Sequence, residues 1–420
     1  MSEDEVQHCG YGSCWTFGEA AGRMEALALT VLQYVYGLST TIESWGRCSL
    51  EWQQRLLATL CTLYRTLARG HGTVRVSLRE LYYRQGAAFA STAQLNQCVW
   101  RIAQLLRCPR RLLPVVASSR GFAAVGAGLE AYERWPPSGL EKRTRHNRWR
   151  QLPSRQVFDI AAEVEDATGG RFHYDLRVVG DTCVVPPLIL IVEKYGIFYA
   201  LMEQRVLEYL PPCTLLVTGC GQPSMAVRSF VAHAAQGLRS AGGRRCPLPV
   251  YVLVDYNPYG IRIAQCYRYG GDRQWLEHGA VATPQARWIG PFADDWRVVS
   301  AGGAAVSPIP LRPAAVRLAR SLLHEAQQQG DEMTARELAY MGGPDVVGSA
   351  AIDSSPAGAS ASGTFELQTV MAQRGASYMA HEFVPRIVLR TLQQDRLQRA
   401  VQLGASRCLS AGVCAVNDSA

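Results

Sequence analysis

Leu188-Ile189-Leu190-Ile191-Val192-Glu193-Lys194 is five apolar residues with no polar alternation, closed by an acid and a lysine. A strand with one wet face alternates, whereas a strand without alternation is buried on both faces, as in a parallel sheet covered by helices. Residues 213–217 and 250–254 repeat the pattern, and the segments 198–209, 224–238 and 261–269 read as helices between and after them. The rhythm is that of α/β architecture, in which ligands sit outside the carboxyl ends of the strands. Glu193 and Asp255 stand at two such ends.

A carboxylate at the end of a fully apolar strand is costly unless it binds something. Two of them brought to one sheet edge offer the hard oxygen ligands that suit magnesium. The competing reading is that either acid caps the helix that follows it. Gly219-Cys220-Gly221 either cradles a phosphate or makes a tight turn, and the turn is the reading favoured here.

Upstream the pattern is helical. Residues 19–38 form an amphipathic helix that either docks a partner or packs on its own domain. Residues 52–67 form a second helix, Ser77-x-x-Glu80 is a capping box opening a short third, and Ser91-Thr92 caps a fourth over 94–106. Val115-Val116-Ala117 and residues 122–125, separated by Ser118-Ser119-Arg120-Gly121, predict a β-hairpin. Helices closed by a hairpin make a winged helix, whose recognition helix enters the DNA major groove. In the short helix, Leu78, Leu81 and Tyr82 share a face at about 100° per residue, and Tyr83 lies roughly 140° from Leu78. Tyr82 therefore reads as core and Tyr83 as displayed. A phenol of pKa about 10 is a weak nucleophile at neutral pH. Arg79, one turn earlier, supplies a cation to bind a phosphate or steady the phenolate.

The chain has 420 residues, 48% of them hydrophobic, and a formal charge of +8. That is core enough for two or three domains and a modest bias toward a polyanionic partner. Lys142 and Lys194 are the only lysines; the arginine excess suits phosphate contacts but also follows from a GC-rich genome. Residues 141–155 are a basic, proline-flanked run, either solvated loop or DNA contact, and mark a domain boundary. Thirteen cysteines show no Cys-x-x-Cys pair, and Cys61, Cys98 and Cys266 sit singly in apolar segments as reduced core thiols do. The opening Met1-Ser2-Glu3-Asp4-Glu5 does not resemble a signal peptide, and no apolar stretch is long enough to span a bilayer. A cytosolic or nuclear protein with no membrane partner is expected.

Five motifs now carry a resemblance: residues 78–83, Val116-Ala117-Ser118-Ser119-Arg120-Gly121, Ile191-Val192-Glu193-Lys194 with Phe198, residues 218–223 with Arg228, and Leu253-Val254-Asp255-Tyr256-Asn257-Pro258-Tyr259-Gly260. In order and spacing they resemble the A subunit of DNA topoisomerase VI and its eukaryotic relatives that open meiotic recombination. The likeness covers roughly residues 50–397. It implies a winged-helix domain at 50–140, a basic linker at 141–184 and a Toprim domain at 185–400 with a low-complexity insertion at 348–363. An N-terminal extension at 1–49 and a tail at 401–420 flank them. It further implies a nuclear, type IIB topoisomerase-like enzyme with Tyr83 as nucleophile, assisted by Arg79. Mg2+ would sit on Glu193, Asp255 and Asn257, and Arg120, Lys194 and Arg228 would contact double-stranded DNA. Partners implied are a second copy, sharing composite active sites, and a B-subunit-like ATPase. No Walker motif is present to drive strand passage from this chain.

Three positions depart from the family. Asn257 replaces the second acid of an Asp-x-Asp, and Cys220 and Ser224 stand where relatives usually have lysine and aspartate. Loss of one anionic oxygen should weaken magnesium binding. The leading expectation is an enzyme that breaks DNA and stays joined to the 5′ end. The alternatives are a topoisomerase A subunit that reseals its breaks, relaxing or decatenating DNA outside meiosis, and a catalytically weakened DNA-binding scaffold.

Overall fold

A computed structural model describes residues 17–35, 49–69, 76–85, 88–108, 110, 113–116, 120–134, 149–152, 155–160, 174–179, 187–236, 238–239, 245–246, 248–270, 281–296, 309–343, 346 and 363–398. The expected low-complexity insertion, the tail and most of the basic run lie outside these residues.

The N-terminal layer is helical: α1 (Phe17–Val35), α2 (Leu50–Arg69), α3 (Leu78–Gln85) and α4 (Thr92–Leu105). Leu56, Leu60, Leu63, Leu95, Val99 and Ile102, spaced three and four apart, are buried together with Leu81 of α3. Ala20 and Met24 bury α1 against the same core, and Arg23 donates to the Leu106 carbonyl at 2.9 Å. The first helix thus packs on its own layer. Ser91 caps α4 by accepting from the Gln94 amide.

The expected β-hairpin does not form. Strand β1 (Val76–Ser77) pairs in parallel with β2 (Val115–Val116). Strand β3 (Phe122–Val125) leaves for a different sheet, pairing antiparallel with β9 (Thr214–Thr218) and β6 (Phe158–Asp159). The cause is apolar: Ala123, Ala124 and Val125 are all buried, a strand with no face to give to solvent as a wing would need. The stretch expected as a linker is also partly strand. β4 (Leu129–Arg134), β5 (Trp149–Leu152), β7 (Tyr174–Val178), β10 (Leu238–Arg239) and β11 (Arg245–Cys246) form a five-stranded sheet in the order β11-β10-β7-β4-β5.

The main sheet has six strands in the order β13-β12-β8-β9-β3-β6. Here β8 (Leu188–Val192), β9, β12 (Val250–Leu253) and β13 (Ala286–Gly290) run parallel, and every residue of β8, β9 and β12 is buried. Helices α5 (Tyr195–Glu203), α6 (Met225–Ala235) and α7 (Pro258–Tyr269) alternate with these strands, followed by α8 (Pro313–Gln328), α9 (Glu332–Gly342) and α10 (Leu367–Tyr378). After a π-helical turn at Met379–Phe383 the last helix continues over 384–398. The α/β reading of this half therefore stands. From β8 the chain moves outward to β9, returns across β8 to β12, and continues to β13. The adjacent strands β8 and β12 thus send their connections in opposite directions, which opens a crevice at their carboxyl ends.

Cys61, Cys98 and Cys266 carry free thiols; Cys98 and Cys266 are buried as expected of core thiols, whereas Cys61 is exposed. Cys213, by contrast, is disulfide-bonded. Among the described residues no helix is long and apolar enough to cross a membrane.

Candidate functional site

The crevice between β8 and β12 is where the acids meet. Glu193 follows β8 with its amide on the Leu253 carbonyl at 3.1 Å, which carries the sheet one residue past the strand. The Asp255 amide donates to Glu193 Oε2 at 2.9 Å, and the Leu367 amide, opening α10, donates to Asp255 Oδ1 at 2.8 Å. Lys194 Nζ lies 2.6 Å from Asp255 Oδ2 and 3.1 Å from Glu366 Oε2. Glu193 is 8% and Asp255 1% exposed. Burial, and second the charge of Asp255, push the Glu193 carboxyl up to about 7. The Asp255 carboxyl is raised by burial, against the opposing pull of Lys194 and the Leu367 amide. Two desolvated carboxylates side by side, balanced by one tethered ammonium, have the oxygen chemistry and the charge deficit that a hard divalent cation fills. Glu193 and Asp255 fit magnesium on that ground.

Asn257 is placed differently. Its Oδ1 accepts from the Gly260 amide at 2.8 Å and so serves as the N-cap of α7. The capping role weighed for the acids has fallen to the amide, and Asp255 is left free of it. The loop 219–224 makes the turn: Gly221 N bonds the Glu193 carbonyl at 2.8 Å and Cys220 N bonds Thr218 Oγ1 at 3.2 Å. Both amides a phosphate would need are spent within the fold.

The tyrosine stands on the helical layer. Ser77 Oγ accepts from the Glu80 amide at 3.0 Å, starting α3 directly after β1, while the Glu80 carboxylate pairs with Arg84 rather than closing a reciprocal box. With Leu81 fully buried and Tyr82 half-buried against the helical core, Tyr83 is 68% exposed. Arg79 Nε donates to the Tyr83 hydroxyl at 3.2 Å, and its guanidinium lies 5.8 Å from the ring centroid. A phenol and a guanidinium are thereby presented to solvent as one unit. Among the described residues no hydrogen bond, ion pair or ring contact joins Tyr83 to the acidic crevice.

The three basic residues expected to touch DNA separate. Arg120 is exposed and Lys194 is partly so. Arg228 is 2% exposed, turned into the interior from α6, where its charge acts on the buried Tyr267 phenol. The side chain is thus withdrawn from the surface on which a phosphate contact was expected. Its helical neighbours Val231, Ala232 and Ala235, three, four and seven residues on, are all apolar, and that spacing was the signal for an inward side chain. Glu366 was not expected at the crevice: it lies far along the chain from Glu193, and no motif marks it.

Comparison with known proteins bears on this crevice. Residues 188–342 match the Toprim domain of the family that joins the topoisomerase 6 A subunit and Spo11. Meiotic recombination protein SPO11-2 of Arabidopsis thaliana is 30% identical over 255 residues, covering 59% of this chain and 57% of that protein. Meiotic recombination protein SPO11 of Mus musculus is 25% identical over 217 residues (52% of this chain, 46% of that protein). The A subunit of DNA topoisomerase 6 from Arabidopsis thaliana is 26% identical over 222 residues (52% and 43%). The chain thus spans about half the length of the curated relatives it matches. The matched stretch is the one whose strands set Glu193 and Asp255 side by side, so it is in the part of the chain that holds the crevice that this protein is similar to the Toprim domain of Spo11 and the topoisomerase 6 A subunit.

Proposed function

We propose that this chain is a DNA transesterase that makes double-strand breaks through a 5′-phosphotyrosyl intermediate and acts in the nucleus to initiate meiotic recombination. The observation that carries the reading is Tyr83, held by Arg79 on an exposed helix face in a chain whose Toprim crevice gathers Glu193 and Asp255. The Tyr83 oxygen attacks the phosphorus and gives up its proton, a new phosphotyrosyl ester forms, and the 3′ oxygen leaves with the electron pair and takes up a proton. Arg79 would bind the phosphate and stabilise the negative charge that develops on it in the transition state. Magnesium held by Glu193 and Asp255, with the remaining lone pair of Asn257 Oδ1 as a weaker neutral donor, would supply Lewis-acid polarisation of the phosphodiester. The residue 50–116 helical layer and Arg120 would form the DNA-facing surface. A B-subunit-like ATPase would be a partner, since the topoisomerase 6 relative is by name one subunit of a larger enzyme.

The separation of Tyr83 from the crevice favours a homodimer in which each tyrosine works with the acids of the other copy. Tyr83→Phe and Glu193→Gln proteins are each expected to be inactive alone. Mixed, they form dimers holding one complete site and should nick one strand. No nicking from the mixture, with both proteins shown to exchange protomers, would place tyrosine and acids in one chain.

A further inference from the structure

We propose that Glu366 is a third cation ligand of the acidic crevice, supplying from the start of α10 the anionic oxygen that Asn257 lacks, with the Lys194 ammonium holding the place until the cation arrives. The inference rests on the reading of Glu193 and Asp255 as a magnesium site and adds to it a residue from a distant part of the chain.

The position of Glu366 is set by main-chain bonds on both sides of it. Phe365 N donates to the Tyr256 carbonyl at 3.0 Å, and Leu367 N donates to Asp255 Oδ1 at 2.8 Å. Glu366 is therefore fastened beside the Asp255-Tyr256-Asn257 segment, whatever its side chain does. That side chain occupies the N-cap position of α10 yet makes no capping hydrogen bond. It reaches instead to Lys194 Nζ, 3.1 Å away, which is also 2.6 Å from Asp255 Oδ2. Two carboxylates from different elements thus already converge on one positive centre, and Glu193 is tied to the same segment through the Asp255 amide.

Among the described residues no three acidic side chains yet close around a single point. Magnesium demands oxygens at roughly 2.0–2.1 Å, so the ammonium between them has to leave before they can. Lysine has the long flexible stem for that movement, and the Lys194 and Glu366 side chains are 25% and 44% exposed, so solvent reaches both. The charge count agrees: Glu193, Asp255 and Glu366 restore three anions where Asn257 has removed one. The plainer role for Glu366, a half-exposed ion pair with Lys194, would contribute little to stability and would act on the cation only through its charge, so that Glu366→Asp, which keeps that charge, would then bind Mn2+ as the parent does.

The test is a calorimetric titration of the full chain with Mn2+ and Mg2+ in the absence of DNA, with free Mn2+ followed in parallel by electron paramagnetic resonance. Glu366→Gln should weaken Mn2+ binding about tenfold or more, since affinity follows the charge count of the ligands. Adding Asn257→Asp to Glu366→Gln should recover most of that loss, and Lys194→Met should tighten binding by removing the competing ammonium. Thermal melting without metal checks folding; if Glu366→Gln does not fold, Glu366→Asp, which keeps the charge but shortens the reach, should also bind Mn2+ more weakly. Unchanged affinity in the Glu366 variants, with the parent binding normally, overturns the third-ligand role alone. A parent chain that binds neither cation overturns the Glu193–Asp255 reading and this inference with it.

Discussion

Tyr82 and Tyr83 are adjacent in sequence and opposite in circumstance because one helical step of about 100° separates a core face from a wet one. That distinction was legible from the spacing of Leu78, Leu81 and Tyr82 alone, and the exposure of Tyr83 follows it. Asn257 was less legible. Its place in Asp-x-Asn suggested a ligand, but an asparagine before a proline-led helix is also a strong N-cap, and its oxygen has taken that bond. Asn257→Ala should therefore cost about 0.5–2 kcal/mol of stability, measured by denaturant unfolding without metal. Asn257→Asp should keep the cap and lower the magnesium concentration for half-saturation; equal stability in Asn257→Ala would deny the capping role. Glu193 carries a pH dependence whose sign is fixed by its raised carboxyl. The folded form favours the proton, so the stability contributed by neutral Glu193 is full below the ordinary carboxylate range near 4.5 and is lost as pH rises through about 7. Over the same interval cation affinity should rise as the competing proton leaves. Glu193→Gln should flatten the stability slope of the metal-free protein, and a slope that persists would assign it to another group.

Among the elements, β8, β9 and β12 were readable because unbroken apolar runs mean burial on both faces, and their order then places the crevice at the β8–β12 switch point. The pairing of short strands was not readable. Val115–Val116 and Phe122–Val125 flank a good turn signal, yet two to four residues carry too little pattern to name a partner. Phe122-Ala123-Ala124-Val125 did hold one warning, since a solvent-facing wing should alternate with polar residues and this segment does not. Glu366 had no local signal at all, for its proximity to Asp255 comes from long-range backbone bonds between the start of α10 and the Asp255–Asn257 segment. The turn into α7 is the most constrained piece of the crevice. A Cβ on Gly260 would come within 2.3 Å of the Asp255 carbonyl oxygen, a backbone atom with nowhere to retreat. Gly260→Ala should thus displace Asp255 and lose cation binding, while substitutions at exposed Tyr259 leave it intact. Retention of full Mn2+ affinity by Gly260→Ala would mean that the turn tolerates the shift.

At the scale of the whole molecule, a helical layer that displays a tyrosine and an α/β layer that gathers acids share one chain, with no contact between Tyr83 and those acids among the described residues. The two layers touch, since Met225 at the head of α6 packs against the helical core, while Tyr83 stays exposed. Such a division makes sense for a reaction in which DNA lies across two copies and each strand meets a tyrosine from one and the acids of the other. The α/β half was legible in the sequence, as was the exposed tyrosine; the five-stranded sheet, which takes only β5 and β7 from the expected linker, was not, because its strands are short and scattered from residue 129 to 246. The most direct measurement is to incubate the full chain with duplex DNA and magnesium, trim the DNA with nuclease, and locate the residual nucleotide by mass spectrometry. A 5′-linked nucleotide on the peptide carrying Tyr83, absent in Tyr83→Phe and retained in Tyr82→Phe, is the predicted result. An adduct on Tyr82, a 3′ linkage, or cleavage that leaves no protein on the DNA would contradict it.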